Sequence, residues 1–173
     1  MGEGLFPDEA AIYIVAADIN GSALVASDAV SGEVSNYTES GGEKETSSIA
    51  VFGGGNIDKE DPRSQVEVSF DVEMQYTTPQ GVITKWDAYK YGTGLTSAAQ
   101  GTAKAIFIQW SDGTNFYTRA YNNAKAVSWS PSSAADGNLK GTVTFKASPT
   151  TADATANIIV GAVAASTATF NWA

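Results

Sequence analysis

The chain has 173 residues, enough for one domain that buries roughly two-thirds of the surface its unfolded form exposes. It contains no cysteine and no histidine, which excludes disulfides, thiol nucleophiles, imidazole-based triads and zinc sites of the usual kind. A formal charge of −9 excludes a grip on nucleic acid or on anionic membranes, although it suits a protein to which DNA should not stick.

In chain order, residues 1–10, with Gly2, Gly4 and Pro7, read as an irregular N-terminal arm. Glu3, Asp8 and Glu9 stand where a secretory signal would have a basic start and an apolar core, and no run of about 18 apolar residues occurs anywhere. Residues 11–17 form a first strand ended by the Asn20-Gly21 turn signal, and 23–34 one or two short strands. Residues 36–63 are polar, glycine-rich and charged, interrupted by Ile49-Ala-Val-Phe52 and then Gly53-Gly-Gly55. So long a connection inside a compact domain is uncommon and usually functional, and the apolar patch needs a surface to pack on, in this chain or another.

Residues 65–76 alternate strictly. Val66, Val68, Phe70, Val72, Met74 and Tyr76 fall on one side, and Glu67, Ser69, Asp71, Glu73 and Gln75 on the other. This is a long strand with one buried face and one wet, acidic face. A turn at 77–81 precedes the one predicted helix, 84–92, with Thr84 as N-cap, Asp87 completing a capping box and Gly92 ending it at positive φ. The remainder reads as strands: 103–110 and 116–121 around a turn at 111–115, then 123–130 and 139–147 around 131–138. Residues 155–173 are small and apolar, forming further strands or a C-terminal arm. The fold class is mainly β, an antiparallel sandwich or barrel with one short flanking helix in a single domain spanning 1–173.

No constellation of catalytic residues emerges. Asp71 and Glu73 lie two residues apart on one strand face, roughly 6.5–7 Å, within the spacing of inverting glycosidases. Nothing apolar beside them would raise one pKa to make an acid, so a solvated face is the better reading. Gly53-Gly-Gly55 lacks the Lys-Ser/Thr of a phosphate loop. Asp18-Ile-Asn-Gly and Asp112-Gly-Thr-Asn read as turns, without the spacing of a calcium loop. Asn20-Gly-Ser22 and Asn36-Tyr-Thr38 match a glycosylation sequon by letters only. Trp86, Trp110, Trp129, Trp172, Tyr117 and Tyr121 offer an aromatic platform for sugars or, as is commoner in β-proteins, a core. Catalytic, cofactor-binding and metal-binding residues are therefore all assigned as none.

The run Ser40-Gly-Gly-Glu-Lys-Glu, Val51-Phe-Gly-Gly-Gly-Asn, Lys59-Glu-Asp-Pro-Arg and Val66-Glu-Val-Ser-Phe-Asp-Val resembles the major tail (tail tube) proteins of long-tailed bacteriophages. The later stretches Ala124-Lys-Ala-Val-Ser-Trp and Asp136-Gly-Asn-Leu-Lys-Gly-Thr-Val-Thr-Phe-Lys-Ala look like the last core hairpin of that family, so the resemblance covers residues 35–147. It implies a virion protein, made in the host bacterial cytoplasm, whose hexameric rings stack into a hollow tube for genome ejection. It further implies that the inner sheets join into a continuous barrel, and that a long loop reaches the neighbouring ring. The implied partners are further copies of the chain, a tape-measure protein inside the tube, and tail terminator and baseplate or distal tail proteins. DNA is cargo only, and no membrane is involved. On that reading Glu67, Asp71 and Glu73 face the lumen, where six copies of a −9 chain sum to about −54 before screening. Glu43, Lys44, Glu45, Ile49, Val51, Phe52, Gly53, Gly54 and Gly55 belong to the inter-ring loop. The alternatives are a carbohydrate-binding or adhesin-like sandwich and a capsid decoration protein.

Overall fold

The computed structural model describes residues 10–18, 30, 34–44, 46–60, 63–74, 86–92, 94, 101–111, 116–133, 139–149 and 158–163. Among the described residues nine strands and one short helix follow one another: β1 (Ala10–Ala16), β2 (Val34–Gly41), β3 (Thr46–Val51), β4 (Gly55–Glu60), β5 (Val66–Met74), α1 (Ala88–Tyr91), β6 (Lys104–Ser111), β7 (Phe116–Ser133), β8 (Leu139–Ala147) and β9 (Ile158–Val163). All recorded pairings are antiparallel.

The body is two sheets that share one strand. The first half of β7 pairs with β6 on one side and β9 on the other, and β1 completes this sheet I beyond β6. The second half of β7 pairs with β8, followed by β5 and then β2, forming sheet II. Asn123, at φ 52, marks the changeover, and the ladder to β6 slips opposite it, between Lys104 and Ile106. Asn tolerates this left-handed conformation better than most residues.

The core lies between the sheets. Ile12 and Ile14 of β1, Ile106 and Ile108 of β6 and Tyr121 of β7 meet Val66, Val68, Phe70 and Val72 of β5 and Val143 and Phe145 of β8. The period-two alternation of β5 and β8 supplies one apolar face each, which is why sheet II keeps a wet side. By contrast β6 reads Ala-Ile-Phe-Ile without alternation. Its other face is buried too: Ala105 and Phe107, together with Val15 and Ala120, lie outside the inter-sheet cluster yet are inaccessible. Gly141 is required where it stands. An added Cβ would come within 2.6 Å of the Ser130 carbonyl oxygen and 2.9 Å of the Trp129 ring.

One end of the core is closed by α1. Trp86 is fully buried, stacks on Trp129 at 5.8 Å and meets Tyr89 edge-on at 5.5 Å. The described α-helical residues are Ala88–Tyr91, the second half of the predicted segment. Asp87 is its N-cap, but its carboxylate makes no capping bond and accepts from the Trp129 indole N–H at 2.9 Å instead. Gly92 ends the helix at φ 68, as expected, while Thr84 lies outside the described residues.

Two expectations change. Residues 36–63 are not a loop: they comprise most of β2 and a separate β3–β4 hairpin. The segments 116–121 and 123–130 belong to one strand of 18 residues, not two. Within 155–173 a strand is present at β9, and the rest lies outside the described residues, as do the N-terminal arm and most of 23–34.

Candidate assembly surface

The wet face of sheet II gathers the three predicted acidic residues on one surface. Each meets a partner across the ladder to β8. Glu67 stands opposite Lys146 and pairs with it at 2.5 Å, and Glu73 stands opposite Lys140 at 3.0 Å. Asp71 accepts hydrogen bonds from Thr142 Oγ1 at 2.9 Å and Asn36 Nδ2 at 2.8 Å, and these donors, Asn36 foremost, hold its carboxyl below the usual carboxylate range. Ser69 and Thr144 share a hydroxyl contact of 2.9 Å. Asp71 is held ionised by its donors and Glu73 is paired with Lys140, which is the setting of a solvated charged face. Lys125 of β7 lies beside Lys146 on the same face. The strand is acidic, but the face as a whole sets Lys125, Lys140 and Lys146 against Glu67, Asp71 and Glu73.

Sheet II has two free edges among the described residues: the outer side of β2, and the side of residues 125–133 that β6 leaves uncovered. Pro131 lies on the second edge, where the lack of an N–H is tolerated. Unpaired edges of this length are templates for another chain.

The β3–β4 hairpin is a sheet of its own, paired to nothing else described. Ile49 faces Ile57 across the ladder and Val51 shares their side, leaving an apolar stripe that is 51%, 39% and 58% exposed at Ile49, Val51 and Ile57. Phe52 at the tip is fully exposed, and Gly53 and Gly54 turn the chain at φ 115 and 85. An isolated two-stranded hairpin is marginally stable in water at best, so this stripe calls for a cover. Glu43 and Lys44 sit at its root, and Glu45 lies outside the described residues.

Sequence reasoning missed a polar clasp where β2 crosses sheet I. Glu39, on the core-facing side of β2 opposite Val68, accepts from the Tyr121 hydroxyl, the Arg119 guanidinium and, at 2.8 Å, the Tyr37 hydroxyl. The two tyrosine oxygens lie 2.6 Å apart. Burial alone would raise the Glu39 pKa, but the donors from Tyr121, Tyr37 and Arg119 outweigh it and the net shift is downward. The Tyr37 hydroxyl is pushed up to about 12, chiefly by burial.

Most of the aromatic platform belongs to the core, although Tyr117 is exposed. Trp86, Trp129 and Tyr121 are buried, and Trp110 packs between Tyr37 and Tyr117. Trp172 lies outside the described residues. Asp18 is engaged by Asn122 and Asn123, and no group of three or more potential metal ligands exists among the described residues. Nor is any described helix long and apolar enough to cross a membrane.

No family model matches the sequence, and neither does any curated protein. Solved structures do. The chain is similar to the tube-terminating cap of the anti-feeding prophage, with a TM-score of 0.55, 10% identity and 94% of each chain covered. It is similar to a chain of the sheath–tube complex of PVC, an extracellular contractile injection system, with a TM-score of 0.55, 14% identity, and 90% of this chain and 89% of that one covered. A chain of the sheath/tube terminator of the same system gives a TM-score of 0.52 and 13% identity over 92% of this chain and 98% of that one. The fold is the one these injection-system assemblies use.

Proposed function

We propose that this protein is a structural, non-catalytic subunit of a tail-like tube, polymerising as stacked hexameric rings. The observation that carries the reading is the condition of sheet II: its core face is covered within the chain, while among the described residues both its edges are open. β7, β8, β5 and β2 alternate in direction, so copies related by rotation join β2 to the next β7 in the antiparallel sense used throughout the sheet. Closure into a ring removes every edge of that sheet. The likeness of fold to cap, tube and terminator chains supports this reading, as does the resemblance to tail tube proteins.

In the ring the wet face of sheet II lines the bore, with Glu67, Asp71 and Glu73 towards the lumen, and the β3–β4 hairpin lays its apolar stripe on a neighbouring ring. The bore wall is then rich in hydroxyls and nearly balanced in charge. A polyanion such as DNA is not gripped by such a wall, and the excess negative charge of the chain lies elsewhere on the subunit. The tape-measure, terminator and baseplate partners belong to the same proposal. Negative-stain electron microscopy of the concentrated full chain tests it: closed rings or hollow rods are expected, and a species that stays monomeric at every concentration refutes it.

A further inference from the structure

Rows of side chains cross the wet face of sheet II from one free edge to the other. In one row Lys125 stands beside Lys146, Lys146 beside Glu67, and Glu67 beside Ser40. A neighbouring row holds only hydroxyls, Ser128, Thr144, Ser69 and Thr38. The first row is out of balance. Glu67 is occupied by Lys146, so the nearest charge to Lys125 within the ladder is another ammonium, and no described residue bonds to it.

A complementary imbalance exists at the opposite edge. Just beyond the end of β2, the Glu43 side chain also lacks any partner among the described residues. Its backbone is nonetheless fixed, because its carbonyl accepts from Ser64 N at 3.0 Å and Gly42 N reaches Gln65 O at 3.3 Å. Gly41 has φ 81 and no room for a Cβ, which would fall 2.2 Å from the Gln65 oxygen. The chain therefore leaves β2 along one path and holds Glu43 at the rim, its charge unmatched among the described residues.

We infer that Lys125 of one copy pairs with Glu43 of the next, where the free edge of β7 meets the free edge of β2. This rests on the ring reading given above. In an antiparallel joint the start of the second half of β7 and the end of β2 lie at the same end, so the two groups converge. A tilted closed wall shifts neighbouring strands by a few residues, which a lysine and a glutamate side chain together span. The alternation of inward and outward side chains excludes a slip of one residue, and the charge pair selects which edges meet and at which end. Charge pairs at strand edges select partner and alignment more than they add affinity.

Charge exchange tests the pairing. The full chain as wild type, Lys125→Glu, Glu43→Lys and the double variant are compared by sedimentation velocity and negative-stain microscopy across a concentration series, at low and high salt. Each single variant is expected to need a roughly tenfold higher concentration for ring formation at low salt, with a smaller penalty at high salt. The double variant is expected to assemble like wild type, and monomer melting curves are expected to coincide for all four. Single variants that assemble normally, or a double variant no better than the singles, overturn the pairing while rings persist. A wild-type chain that never closes overturns the ring reading, and the pairing with it.

Discussion

The wet face of sheet II and the β3–β4 hairpin are both exposed, but they differ in how far the chain satisfies them by itself. On the sheet, Glu67, Asp71 and Glu73 all have partners on neighbouring strands. On the hairpin, Ile49, Val51, Phe52 and Ile57 face solvent with nothing described against them. A charged surface whose groups are paired at home is suited to being passed over. An apolar one left bare is suited to being covered. Phe70 and Phe52 condense the contrast, one fully buried beneath the wall and the other fully exposed at a turn.

Three substitutions sharpen this contrast. Phe70→Ala removes a ring packed on Tyr37 and opens a cavity between the sheets. It is expected to destabilise the isolated chain by about 3–5 kcal/mol, read from denaturant unfolding. Glu39→Gln keeps the shape of the clasp but loses the charge that three donors address, at an expected cost of about 1–3 kcal/mol near neutral pH. Because the folded chain holds the Glu39 pKa below its ordinary value, the carboxylate's contribution is complete above the unfolded pKa and disappears as pH falls through the folded one. Stability curves of wild type and variant should therefore converge as pH falls from the ordinary glutamate range through the lowered folded pKa, and a constant gap across that range would show that the charge is not what matters. Phe52→Ala is expected to leave the melting of the monomer within about 0.5 kcal/mol of wild type while abolishing rods in micrographs. A large loss of monomer stability would mean that the tip packs on its own chain.

Much of sheet II is legible in the sequence, because strict alternation in β5 and β8 is a local signal. Residues 65–76 announced a half-buried strand, and Lys140 and Lys146 were visible on the alternate face of theirs. Their pairing with Glu67 and Glu73 was not visible, since register between strands some 70 residues apart has no local signature. β2 was missed for a different reason. Its bulge at Asn36, with φ 50, breaks the alternation, and its core-facing side carries Glu39, a residue that reads as surface. The hairpin reads as a loop in the sequence because neither of its faces is buried, so no period marks it. Its apolar patch and glycines were noticed, and they proved to be the end of β3 and the turn.

β7 has a consequence for how this protein is made and loaded. One continuous backbone of 18 residues serves both layers, its first half flanked by β6 and β9 and its second by β8. Neither layer can reach its final form while the other is undone, so the molecule acquires both together. In the ring proposed above, a load on sheet II would pass through this backbone into sheet I.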